Sequence, residues 1–461
     1  MNARSKQPVS LNRDLGMWSA IALVIGTVIG SGIFIVPNTM ARNMGSPDMV
    51  FLVWVVGGLM SLSGALTYAE LSAAMPGAGG EYVYLREAYG PVWSFIYGWT
   101  QMWVAKSGSI ATLATAFFLY LANFHPELKQ PVGAIPVPLG PSGGPLEINL
   151  GQILAMVLIM GLGVLNYFGV RLAGNVQVLV TICKVGLIFA VIAIGLGTGH
   201  GASSNFGSKV VSTLGNPGSA FFAALVAALW AYDGWNNVSM VASEIRDPQR
   251  NLPRALIGGT AAVMGIYLLA NAAYFYVLPA SEVAASDLVA AEMMRRIYGQ
   301  TGAGLVSVAA MISIFAALNG SILSGSRVPY AMARDGLFFA PMSRVHPDYH
   351  TPGISILALS GWAAILVLSG RYDQLFTYVI FASWILYGMT TAAVIVLRRK
   401  RPDMARPYRT FGYPWVPIVF VISALSLIVS TLVNSPRESM MGIVLVLIGL
   451  PFYYYWSKRR T

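Results

Sequence analysis

The hydrophobic positions of this chain collect into runs of about 20 residues, the length of helix that crosses about 30 Å of hydrocarbon. Twelve such runs lie at approximately 16–40, 49–74, 92–123, 150–169, 174–198, 217–242, 254–279, 302–330, 353–370, 374–397, 413–433 and 439–457; they are numbered below as spans 1 to 12. Charged residues gather between them. A transmembrane β-barrel would show short segments of alternating character instead. The pattern predicts an all-α polytopic membrane protein.

Two spans are interrupted. Span 1 carries "GTVIGSGIF" (26–34) and span 6 carries "WAYDGWNN" (230–237), around Gly234. Each interruption lies near the middle of its span, and each of these spans opens a set of five. Five is odd, so a second copy of the first set would insert upside down relative to it. Paired interrupted spans of this kind point to a binding site at the membrane midplane. The competing reading is helix packing, because Gly26-x-x-x-Gly30 has the spacing of a small-residue contact motif. The matching break in span 6, which contains an acid, weighs against packing alone. The expected organisation is a ten-span core (1–397) with inverted repeats at about 16–198 and 217–397. A basic loop and two peripheral spans follow (398–461).

Composition sharpens this reading. Of 461 residues, 56% are hydrophobic and 10% charged, whereas soluble domains carry about 25% charged residues. The net charge is +11, and 20 of the 29 Lys and Arg fall on the side that also holds the N-terminus. "RRKRPDMARPYR" (398–409) and the terminal "KRR" (458–460) dominate that side. The positive-inside rule then places both termini in the cytoplasm, with the plasma membrane as the expected location. The basicity reports topology and contact with anionic lipid. No basic soluble domain exists to bind nucleic acid.

Several function classes fall away. The first apolar run is too long for a cleaved signal peptide. The single cysteine, Cys183, lies mid-span and can form no intrachain disulfide, and the four histidines sit in or beside loops without metal-ligand spacing. Neither a metal nor a cofactor is expected. "PGAGGEY" (76–82) lacks the Gly-Lys-Ser/Thr of a phosphate loop, and "GTVIGSG" lies inside a span rather than after a strand. No nucleophile–base–orienter set supports an enzyme. The Pro/Gly-rich stretch 124–149 reads as a structured surface loop or partial lid. Glu70 and Glu81 flank the loop after span 2, where a solvated face is favoured over a gate ion pair.

The breaks carry chemistry without charged side chains. Gly30, Ser31 and Gly32 weaken the helical ladder. The second half-helix of span 1 begins near Ser31, and its first N–H groups, at the positive end of the helix dipole, suit a carboxylate. The first half ends near Val28 and Ile29, whose carbonyls suit an ammonium group. Span 6 adds the carbonyls of Trp230 and Ala231, and its aromatic residues Trp230, Tyr232 and Trp235 are candidates to cover an apolar side chain. Three charges lie deep within spans, each costing roughly 2.5–3.5 kcal/mol at a helix centre. Lys184 reads as a fixed cation that holds unwound carbonyls or titrates, or as a structural ion pair. Asp233 pairs with Lys184, lines the pocket, or caps its neighbours. Lys106, beside Ser107 and Ser109, lines the pocket or partners an acid. Gly32→Val is expected to abolish binding while leaving the fold intact, by crowding the carboxylate site.

"GTVIGSGIFIVP" (26–37), "PGAGGEYVYLREAYGP" (76–91), "WAYDGWNNVSMVASEIRDPQRNLPRAL" (230–256), "LNGSILSGSRVPYAMARDGLF" (318–338) and "KRPDMARPYRTFGYPWVP" (400–417), in this order over nearly the whole chain, resemble the amino acid–polyamine–organocation superfamily. The similarity is closest to its L-amino-acid-transporter-like branch, which includes bacterial serine/threonine and neutral amino acid exchangers. The resemblance implies a LeuT-type fold of ten helices in two inverted repeats plus two peripheral helices. It implies sodium-independent exchange of neutral L-amino acids by alternating access, with proton-coupled or exchange transport of cationic amino acids or polyamines as the runner-up. By position, the N–H groups of Ser31 and Gly32 take the substrate carboxylate. The carbonyls of Val28, Trp230 and Asp233 take the amino group, and Trp230 is the aromatic lid. Lys184 matches a lysine of this branch that stands where sodium-coupled relatives hold an ion, with Ser313 as its candidate neighbour. Animal members bind a glycoprotein through a cysteine in the loop after span 3. This loop has none, so no disulfide-linked partner is expected, while a homodimer remains open. Asp233 occupies a position that is small and neutral in some relatives, which leaves room for basic substrates.

Overall fold

The structure, a computed structural model, describes residues 10–135, 146–369, 372–434 and 436–459. The basic residues Arg4, Lys6 and Arg460 therefore lie outside the described residues, as does the centre of the 124–149 loop.

Span 1 is built in three pieces, α1 (Met17–Val28), α2 (Gly32–Ile35) and α3 (Pro37–Met44). Gly45 ends α3 in the left-handed conformation, φ +76°, the post-helix position that glycine fills without strain. Pro47 then opens α4 (Pro47–Ala74), where a missing N–H costs nothing. The next loop holds a helix that the hydrophobic pattern did not announce, α5 (Glu81–Tyr89). Span 3 consists of α6 (Pro91–Thr100), a π-helical turn (Gln101–Ala105) and α7 (Lys106–Leu121). The following loop forms a short 3-10 turn (Pro126–Lys129) and an antiparallel pair, β1 (Pro131–Ile135) with β2 (Leu146–Asn149), Gly133 facing Ile148.

A reciprocal capping box between Asn149 and Gln152 starts α8 (Leu150–Tyr167), and α9 (Val170–Gly197) follows. Span 6 divides into α10 (Pro217–Tyr232) and the short α11 (Asn237–Met240). Then come α12 (Pro248–Val277), α13 (Ala280–Ala285) and α14 (Val289–Gly325), which bends at Tyr298 and Gly299. The chain ends with α15 (Arg327–Arg334), α16 (Gly353–Leu366), α17 (Tyr372–Lys400), α18 (Trp415–Asn434), α19 (Pro436–Leu447) and α20 (Gly449–Arg459).

Among the described residues, nine helical stretches are long and apolar enough to cross a membrane. The remaining three predicted spans are shorter helices. These are α10, α16, and the pair α19–α20. Glycine lets the central helices touch. A Cβ on Gly58 of α4 would stand 2.8 Å from the Tyr232 hydroxyl and from Met264 of α12, as expected where small residues let helices approach. Outward faces stay apolar, with Val157, Leu179, Ile182 and Val429 all exposed, which suits contact with lipid tails.

The solvated reading of Glu70 and Glu81 is corrected, because both are buried. Glu70 is held by Arg398, at 2.9 and 2.7 Å, and by the Thr410 amide at 2.7 Å. This ties α4 to the end of α17 and the basic loop. Glu244 and Arg327, also buried, form a bidentate pair at 2.7 and 2.9 Å. On the same face Leu15 exchanges backbone hydrogen bonds with Glu244 and Arg246, at 3.0 and 2.8 Å. The chain entering α1 is thus stitched to the chain leaving α11, beneath the two breaks.

Candidate functional site

The break in span 1 starts at Ile29, the centre of an inverse γ-turn. Its φ is −74° and its ψ 89°, and the Gly30 amide donates to the Val28 carbonyl at 2.8 Å. Helix resumes at Gly32, with Ser31 as its N-cap residue. The carbonyls set loose here must be met inside the protein. Lys184 of α9, fully buried, donates to the Gly26 carbonyl at 2.7 Å and to the Ile29 carbonyl at 2.6 Å. Ser313 of α14 donates to the same Ile29 carbonyl at 3.0 Å. The Tyr267 hydroxyl of α12 reaches the Val28 carbonyl at 2.9 Å. Lys184 is therefore held by backbone carbonyls, and among the described residues no carboxylate is within ion-pair distance of it.

The break in span 6 is set by two residues. Asp233 is extended (ψ 145°), and Gly234 has φ +104°, a conformation that L side chains rarely adopt. A Cβ on Gly234 would also stand 3.2 Å from Thr27 of α1, and Thr27 donates to the Gly234 carbonyl at 2.9 Å. The breaks thus touch. A Cβ on Gly32 would stand 2.5 Å from the Ala231 Cα. Tyr267 bridges them, because its hydroxyl also lies 2.7 Å from the Ala231 carbonyl. One hydroxyl proton faces two acceptors.

Between the breaks is a small, partly open cavity. Its lining includes Gly30, Ser31 and Gly32 from one break, and Trp230 and Asp233 from the other. Thr27 and Val28 of α1 and Ser109 and Leu113 of α7 complete it. Of the sequence-predicted residues, Val28, Gly30, Ser31, Gly32, Trp230 and Asp233 thus share one wall. Four do not line it, each for a visible reason. The Ile29 carbonyl is taken by Lys184 and Ser313, and Ala231 packs on Gly32. Tyr232 turns to α4, donating to the Trp54 carbonyl at 3.1 Å, and Trp235 packs on Tyr68 with ring centroids 4.7 Å apart. The packing reading holds for Gly26, where a Cβ would stand 2.0 Å from Gln177, while Gly30 and Gly32 face the cavity.

Lys106 lies outside the cavity lining. The π-helical turn precedes it, Gly325 makes room for its stem, and its ammonium donates to the Asn237 side chain at 2.6 Å. It is within electrostatic reach of Asp233 and Glu81. Tyr387 of α17 donates to Asp233 at 2.8 Å. Sequence reasoning missed Thr27, Ser109, Leu113, Tyr267, Asn237 and Tyr387. For Tyr267 and Tyr387 a signal was present, since each is a hydroxyl deep in an apolar span that must find a partner.

Known proteins resemble this chain along nearly its full length. The family described as amino acid permease matches residues 15–450. A serine/threonine exchanger, SteT, of Bacillus subtilis (strain 168) is 34% identical over 98% of this chain and 98% of its own. The b(0,+)-type amino acid transporter 1 of Mus musculus is 31% identical over 98% of this chain and 90% of its own. The cystine/glutamate transporter of Homo sapiens is 30% identical over 98% and 88%. A chain that shares these relatives along nearly its full length, and folds two broken helices around one cavity, belongs to the amino acid permease family.

Proposed function

We propose that this protein exchanges L-amino acids across the plasma membrane by alternating access, without sodium. The observation that carries the reading is the cavity walled by the unwound backbone of Gly30, Ser31 and Gly32 and covered by Trp230. The amides of Ser31 and Gly32 receive the substrate carboxylate at the positive end of a half-helix. Carbonyls at the two breaks, those of Trp230 and Asp233 and, once Tyr267 turns its proton to Ala231, that of Val28, receive the amino group. Trp230 closes over the side chain. Lys184 supplies from within the chain the positive charge that a bound metal ion would otherwise bring to the Gly26 and Ile29 carbonyls. The serine/threonine exchanger among the relatives favours small neutral substrates.

The architecture that fits this cycle is ten helices in two inverted repeats (about 16–198 and 217–397) with two peripheral helices in 398–461. The placement of both breaks in the first helix of each set supports it. The basic face, with both termini, is cytoplasmic. A second reading, basic amino acids as substrates, is favoured by one observation: an acid, Asp233, is among the residues that line the cavity.

Counterflow in proteoliposomes tests the reading. Uptake of labelled serine is expected to require unlabelled amino acid inside and to be unchanged when sodium is replaced by choline. Uptake that ignores the internal amino acid removes exchange, and a sodium requirement removes the role given to Lys184.

A further inference from the structure

Glu81 takes part in none of the contacts given to the substrate, yet it is a fully buried carboxyl group beside them. It opens α5, and its Oε1 accepts from the Asn236 side-chain amide. Its Oε2 lies 3.4 Å from the Ser239 hydroxyl. That hydroxyl has one proton, and 2.5 Å away is the Asn236 carbonyl that takes it. Ser239 can donate to only one of these two oxygens at a time, and while its proton is on the Asn236 carbonyl the contact with Glu81 is a hydrogen bond if Oε2 itself carries a proton. Asn236 links Glu81 to the cavity wall, because the Tyr387 hydroxyl stands 3.4 Å from Asn236 Oδ1 and 2.8 Å from Asp233.

Several elements around Glu81 contribute a titratable group within electrostatic reach of it or of Asp233. These are Tyr68 of α4, Tyr97 of α6, Lys106 of α7 and Tyr387 of α17, with Tyr84 on α5 itself. Other charges on this face are engaged elsewhere. Arg86 pairs with Asp335, Glu87 with Arg401, and Arg327 with Glu244. Two carboxyl groups thus share one ammonium. With both ionised, one negative charge is left over in a buried volume, which costs several kcal/mol. Burial pushes the Glu81 carboxyl above the usual carboxylate range, against the pull of Asn236, its own amide, Lys106 and Tyr97.

We infer that Glu81 is a proton-binding site, and that the charge around it is balanced either by its proton or by the cationic side chain of a basic amino acid held beside Asp233. When a basic amino acid binds, the Oε2–H bond breaks, the electron pair stays on the carboxylate and the proton passes to solvent. A neutral amino acid leaves the proton in place. The inference rests on the cavity being an amino acid site.

Titration calorimetry of the purified full-length protein, in buffers of different ionisation enthalpy, counts the protons released by L-arginine and by L-serine. Between about pH 5 and pH 8, arginine is expected to release up to about one proton and serine none. Glu81→Gln keeps the shape of the neutral acid. It is expected to bind serine within about twofold of wild type and arginine about tenfold more weakly, releasing no proton. The proposal is overturned if arginine binds without proton release at every pH, if serine binds and arginine does not, or if Glu81→Gln releases the same proton. If neither amino acid binds, the amino acid reading of the cavity falls as well. Should Glu81→Gln not fold, Ser239→Ala removes the proton's acceptor and is expected to move release to lower pH; an unchanged profile overturns the proposal.

Discussion

The two breaks differ in where their charge comes from. In span 1 the unwound segment has no ionisable side chain of its own, and its carbonyls are held by Lys184, Ser313 and Tyr267 from three other helices. In span 6 the unwound segment brings its own acid, Asp233, which lines the cavity and accepts from Tyr387. A backbone-built break presents the same groups whatever enters, so it suits the carboxylate and amino group that all α-amino acids share. A break carrying a carboxylate distinguishes one side chain from another. On the proposed reading span 1 offers only groups that every amino acid can use, whereas span 6 adds to such carbonyls the acid that discriminates.

Substitutions can break this division. The largest effect is expected at Gly32→Val. The added Cβ would stand 2.5 Å from the Ala231 Cα, so the two breaks must separate. Binding of every amino acid should fall below detection. The melting temperature should drop too, since overpacking costs about 1–3 kcal/mol. This corrects the expectation that the fold would be untouched, because the glycine spaces two backbones as well as a ligand. Next is Lys184→Ala, which leaves the Gly26 carbonyl unmet and the Ile29 carbonyl with Ser313 alone. A loss of about 2–4 kcal/mol is expected. It should be read as a lower melting temperature together with a uniform fall in counterflow for all substrates that is larger than the loss of folded protein. Normal counterflow would make the lysine a packing residue.

Asp233→Asn should act selectively. Serine affinity is expected to stay within about twofold while arginine weakens about tenfold, a difference of about 1.4 kcal/mol. Equal losses for both would erase the distinction drawn between the breaks. Tyr267→Phe is expected to have the smallest effect, about fivefold and equal for all substrates, from losing one hydrogen bond worth about 1 kcal/mol. Because Tyr267 touches both breaks, a side-chain-dependent loss there would show that the two are not separable.

Legibility in the sequence followed the physics of each feature. The breaks were readable because Gly30, Ser31, Gly32 and Gly234 act on their own backbone, so local sequence suffices. The burden on Lys184 was readable because a charge in hydrocarbon demands partners. Which wall each residue faces was not, since that depends on how helices rotate against each other. Tyr232 and Trp235 look like their neighbour Trp230 in sequence, but pack on Trp54 and Tyr68 instead. A π-helical turn precedes Lys106, and hydrophobic periodicity does not record such a turn. Glu70 and Glu81 were misread because an acid in a loop is ordinarily hydrated. Arg398 and Asn236, their partners, are 328 and 155 residues away along the chain.

Lys184 has one further consequence. A cation that is part of the chain cannot dissociate, so it brings no concentration difference of its own to the cycle. On the proposed reading, work must then come from the molecules in the cavity and, for basic amino acids, from the proton of Glu81. Such a machine redistributes amino acids between two compartments, raising one only as another runs down. The total pool on either side stays where other proteins have set it.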